Sequence, residues 1–137
     1  MTRRECREHL MIMLFQKEFH ETEELPEQIE YYLDHIIAPK SDDLAYIRNK
    51  YEKALAHVEE IDAILDSVSE GWQVKRMGKI DLAIMRLAVY EMKYDEEIPV
   101  GVAINEAVEI AKKYGQDNSP SFVNGILAKV ADQLAKG

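Results

Sequence analysis

At 137 residues, with 47% apolar and 31% charged side chains, the chain has the makeup of one folded domain with a real core. No run of about 18 apolar residues is present to cross a membrane, and the lone Cys6 excludes an internal disulfide, as expected of a cytoplasmic protein. A net charge of −9 argues against a nucleic-acid partner until the chain is divided. Residues 1–17 carry +2, residues 18–70 carry −11 and residues 71–137 are neutral, so both ends can bear a basic patch.

Taken in order, the elements are all helices. The opening "MTRRECREHLMIMLF" has arginines before an apolar run, but six apolar residues without a small-residue cleavage site do not make a secretion signal. It reads instead as a first helix from about Arg3 to Phe19. An acidic loop leads to Pro26 and a second helix through "EQIEYYLDHII", ending before Pro39. Ser41, followed by Asp42 and Asp43, is expected to cap a third helix reaching Ala56. A fourth covers "EEIDAILDSVSE" and ends near Gly71.

The fifth runs from about Lys79 to Tyr94, with Ile80, Ala83, Ile84, Leu87, Ala88 and Met92 on its buried side. Pro99 opens the sixth, whose stripe of Val100, Ala103, Ile104, Ala107, Val108 and Ala111 ends at Gly115 as the residue past the helix. Ser119 as N-cap and Pro120 in the first turn start the seventh. The reading is therefore an all-α bundle of about seven helices within one domain, 1–137, with halves at 1–70 and 71–137.

Enzyme signatures are missing. The sequence has no phosphate loop, no G-x-S-x-G and no C-x-x-C. His9, His20, His35 and His57 are too scattered for a metal-ligand pattern. Neither catalysis nor a cofactor is expected.

Two faces outside the expected core stand out. At about 100° per residue, Arg4, Arg7, Met11 and Phe15 share a stripe about 80° wide, apart from the core face of Leu10, Met13 and Leu14. Either "LMIMLF" is buried all round and the arginines are ordinary surface groups, or the arginines meet phosphates while Met11 and Phe15 meet a protein partner. In the seventh helix, Gly125 sits mid-helix at a cost of about 1 kcal/mol against alanine. The helical angles put Gly125 and Lys129 beside Phe122 and away from the apolar stripe. An aromatic, a bare backbone and a lysine on one face suit an unpaired base. The alternative is that Gly125 packs against a neighbouring helix and Phe122 fills the bundle edge.

The combination of "RMGKIDLAIMRLAVYEM", "VAINEAVEIAKKYG" and "FVNGIL", with "RRECREHLMIMLFQ" at the start, resembles the NusB family of bacterial transcription antitermination factors. The likeness is strongest over residues 76–127 and weak over 18–70. It implies two small helical subdomains packed together. The implied ligand is single-stranded boxA RNA in nascent ribosomal transcripts, bound with the ribosomal protein NusE in a complex that joins the transcribing RNA polymerase. It leaves open a homodimer that covers the RNA face.

By the same resemblance Arg3, Arg4 and Arg7 belong to an arginine-rich RNA-binding start, and Phe122 to the RNA surface. The segment Asp117–Ser121, including Asn118, lies where RNA and NusE contacts adjoin. Phe15 stands where the family usually has tyrosine, in the NusE-facing region, and Asp81 and Arg86 lie in a helix that contributes to that side. Two other classes share these features. One is the RNA-binding N-terminal module of certain ribosomal-RNA cytosine methyltransferases, and the other is a protein-only adaptor whose acidic middle docks a basic ribosomal protein.

Overall fold

The computed structural model describes residues 1–37 and 39–137. Among these residues seven α-helices form the fold: α1 (Arg3–Gln16), α2 (Leu25–Asp34), α3 (Ser41–Ala56), α4 (Val58–Val68), α5 (Lys79–Tyr94), α6 (Val100–Tyr114) and α7 (Ser119–Lys136). Short 3₁₀ turns occupy Lys17–Phe19, Thr22–Glu24 and Val74–Arg76. Among the described residues there is no strand.

α5 is the centre. Every residue from Leu82 to Met92 is buried, because α1, α3, α4, α6 and α7 all pack on it. A helix buried all round cannot be amphipathic, so the one-sided stripe expected of it is too narrow. α6 presents Ala103, Ala107 and Ala111 inward, small side chains that let helix axes approach closely. Its neighbours α5 and α7 lie against it. One apolar core draws on both halves of the chain, from Leu10 and Ile47 to Leu87 and Val130.

α1 starts on a reciprocal cap. The Glu5 backbone N–H donates to Thr2 Oγ1 (3.1 Å) and the Thr2 N–H to Glu5 Oε1 (3.0 Å). The helix packs on both α3 and α5, so an arc of about 160° is buried, not one stripe. That arc takes in Arg7 and Met11 along with Leu10, Met13 and Leu14.

Several expected ends shift. The α-helical part of α1 stops at Gln16 and continues as a 3₁₀ turn. α2 stops at Asp34, before "HII", and residue 38 of the expected end before Pro39 lies outside the described residues. Lys40, not Ser41, is the cap residue of α3, without a side-chain bond. Asn118, not Ser119, takes that position in α7. Ser119 is buried, and its Oγ accepts the Gln116 backbone N–H (2.9 Å), closing the α6–α7 junction instead.

That closure explains Gly115. Its backbone is extended rather than left-handed, but a Cβ there would lie 2.5 Å from Ser119 Cβ and 2.8 Å from the Ala111 carbonyl. Glycine is needed for close approach. Gly71, at φ +78°, is the residue that does need left-handed freedom, and it turns the chain into Trp72.

Candidate nucleic-acid interface

The C-terminal end of α1, the start of α5 and the α6–α7 junction surround a groove of about 380 Å³. Phe15, Asp81, Asn118 and Phe122 all line it, so residues expected on two different binding faces meet at one place. Phe15 is half-buried and packs edge-on to the exposed Phe19, with centroids 5.1 Å apart. Asp117 and Ser121 are exposed at the junction, and Ser121 Oγ reaches only 3.5 Å from the Asn118 carbonyl.

Farther along α7 the outer face is open. A Cβ added at Gly125 would meet nothing within 4 Å, which removes the reading that Gly125 packs against a neighbouring helix. Lys129, one turn on, is exposed.

The basic start of α1 divides. Arg4 lies on the surface and pairs with Glu106 of α6, Nε to Oε2 at 2.8 Å. This partner and its carboxylate neighbours raise the Arg4 pKa, the Glu106 hydrogen bond contributing most. Arg3 is exposed with its guanidinium 3.8 Å above the Tyr46 ring. Arg7 is different: it is 4% exposed, and its Nε sits 3.0 Å from Glu91 Oε1 and 3.1 Å from Oε2. Lys50 also binds Glu91 and lies 3.3 Å from Asp95. Burial lowers the Lys50 pKa, but the Glu91 charge and the hydrogen bonds to Glu91 and Tyr46 together outweigh it and hold the ammonium above its ordinary value. Arg7 thus serves the core, contrary to its expected contact with phosphate.

Two expected partner contacts are likewise interior. Met11 is 2% exposed, covered where α1 packs on α5. Arg86 is buried, with Nε and Nη2 on the two Asp62 oxygens at 2.8 and 2.7 Å and Nη1 on Glu18. Burial would raise Glu18, but the Arg86 hydrogen bond and charge prevail and hold it below the ordinary carboxylate value. Arg86 therefore braces α4 and the 3₁₀ turn after α1 against α5, and at 6% exposure it presents almost no surface to a partner.

Between Arg4 and the groove runs one continuous edge. Glu8 accepts from Lys113 Nζ (2.6 Å) and Tyr114 Oη (2.7 Å), then Phe15 and Tyr114 reach the groove about 16 Å from Arg4 along the helix. Trp72, which belongs to neither expected face, lines the same groove and meets Phe122 edge to face at 5.7 Å and 72°. Its signal was present: a lone tryptophan after a glycine, followed by "QVKR", outside any helical stripe. Among the described residues no three His, Cys, Asp or Glu side chains converge to hold a metal, and no helix is long and apolar enough to cross a membrane.

The fold is a helical bundle with an aromatic groove at one end of an edge that carries Arg4 and Lys113. Comparison with known proteins gives its family. Residues 4–132 match the NusB family, and the chain belongs to it. It is 56% identical over 132 residues to the transcription antitermination protein NusB of Lachnoclostridium phytofermentans, covering 96% of this chain and all of that one. The solved NusB of T. maritima superposes with a TM-score of 0.84 at 32% identity, over 97% of this chain and 92% of that one. A crystal structure of antitermination factors NusB and NusE in complex with dsRNA shares the fold, with a TM-score of 0.81 at 22% identity over 96% of each chain.

Proposed function

We propose that this protein is a transcription antitermination factor that binds single-stranded boxA RNA of nascent ribosomal transcripts together with NusE. The resulting complex joins the transcribing RNA polymerase in the cytoplasm and prevents premature termination. The protein works as one domain, 1–137, by binding and without a catalytic step of its own. The observation that carries the reading is the convergence of Phe15, Asp81, Asn118 and Phe122 on one groove in a chain of this family.

RNA meets Arg3 and Arg4 at the head of α1, runs from Arg4 along the α1–α6 edge, reaches Asn118 and Ser121, and lays a base on Phe122 where Gly125 keeps the α7 surface low. Lys129 neutralises a phosphate beyond it. NusE sits beside the RNA, over Phe15, Asp81 and Asp117. Single-stranded RNA suits this surface because ring stacking needs a base freed from its own helix.

A titration of boxA RNA against a scrambled RNA, with and without NusE and across salt concentrations, tests the reading. Preference for boxA, tighter binding with NusE and a falling log–log salt dependence are expected. Equal affinity for both RNAs, or binding of NusE alone, refutes it.

A further inference from the structure

Trp72 lies between two depressions. One is the groove beside Phe122, and the other is an open basin of about 840 Å³ lined also by Lys75 and Arg76. The indole is 53% exposed, so its ring is open to a ligand. It meets Phe122 edge to face, so the two rings form a corner instead of closing on each other.

The basin carries charges of both signs. Besides Lys75 and Arg76 it contains Asp62 and Asp66, each with a partner in the protein. Asp62 holds Arg86 through both oxygens, and Asp66 Oδ1 accepts the Val74 backbone N–H (2.8 Å). Lys75 and Arg76 are exposed and have no carboxylate within ion-pair distance among the described residues. Two cations outside any ion pair among the described residues thus stand beside an open aromatic.

We propose that Trp72 is a second base-stacking platform, and that Lys75 and Arg76 hold the phosphates of nucleotides that continue past Phe122 into the basin. The inference rests on the RNA-binding reading above and extends its site by a second ring and two cations. Continuity with the Phe122 groove and charge complementarity both favour the same RNA strand as the occupant.

The test uses the fact that Trp72 is the only tryptophan in the chain, so its emission reports on this ring alone. The probe is a labelled boxA RNA, long or trimmed at either end, added to the protein already saturated with NusE. Long RNA is expected to quench Trp72 emission. Trp72→Leu is expected to weaken long RNA about five- to a hundredfold, and to leave a suitably trimmed RNA within twofold. Lys75→Gln with Arg76→Gln should shallow the salt slope for long RNA by about 1.4. Melting curves confirm that each variant is folded.

RNA binding with unchanged emission, and Trp72→Leu within twofold of the parent on every RNA, overturns the inference and leaves the antitermination reading intact. Weaker NusE binding by Trp72→Leu with RNA affinity unaltered also overturns it, by giving the ring to the protein partner. No RNA binding by the parent, with or without NusE, removes both.

Discussion

Replacing Arg7 with glutamine separates a core arginine from an RNA-binding one. The guanidinium lies on both oxygens of Glu91, which is itself 1% exposed, and also approaches Glu106 at 3.6 Å. Breaking one member of a buried ion pair costs about 3–5 kcal/mol, because the other charge stays buried. Lys50 remains on Glu91, so the lower end, about 3 kcal/mol, applies. With an unfolding entropy of about 2.1 cal/mol/K per residue, that corresponds to a melting temperature roughly 10 °C lower for 137 residues.

Circular dichroism melts and urea titrations measure the loss, and RNA titrations across salt are run below the transition. Arg7→Gln should leave the salt slope of RNA binding unchanged, whereas Arg3→Gln with Arg4→Gln should shallow it by about 1.4 at little cost in stability. A variant of Arg7 as stable as the parent, with a shallower slope, would refute the reasoning and return Arg7 to the RNA.

Phe15→Asp puts a charge into the groove at a half-buried position, and should weaken NusE at least about thirtyfold while the protein stays folded; a folded variant with full NusE affinity rules this face out. The glycines on either side of Phe122 should respond in opposite ways. Gly125→Ala, with open space for its methyl, should raise the melting temperature by up to about 3 °C and weaken RNA binding. Gly115→Ala forces a methyl against Ser119 and Ala111, and should destabilise by about 1–3 kcal/mol. Acid should act through Glu18, whose folded pKa lies below the ordinary value near 4.5. Its stabilisation is complete above that value and is lost as pH falls through the folded pKa. The stability gap between the parent and Glu18→Gln, read in urea, should therefore narrow below about pH 4.5; a gap constant down to acid unfolding contradicts the assignment.

Helical periodicity reveals where side chains point around their own axis, but not how many neighbours a helix has. For α7 one buried stripe was enough, because the opposite side is solvent, and Phe122, Gly125 and Lys129 could be placed from spacing alone. For α1 and α5 it was not. Met11, Arg7 and Arg86 lie on directions that look outward from the densest apolar stripe, yet α3, α4 and α6 cover parts of the α1 and α5 surfaces. A charged residue on such a direction reads as surface, because its partner is remote in sequence: Glu91 is 84 residues from Arg7, and Asp62 is 24 from Arg86. Trp72 escaped for a different reason. It lies in a turn, where no periodicity exists to separate a used ring from a packed one.

The same remote pairing decides how an acidic protein can offer a basic face. Net charge counts every group equally, while a ligand responds to those left unneutralised within about a Debye length, near 8 Å at physiological salt. Of the carboxylates near the groove, Glu18 and Asp62 are held by Arg86, and Glu8 by Lys113 and Tyr114, whereas Asp81 and Asp117, on the side given to NusE, make no ion pair among the described residues. A buried arginine that touches no phosphate therefore still shapes the field that a phosphate meets. Removing it would release two carboxylates near the groove as well as loosen α5. The interior position of Arg86 and a role for its helix in binding are for that reason compatible, the first acting through the charges it neutralises.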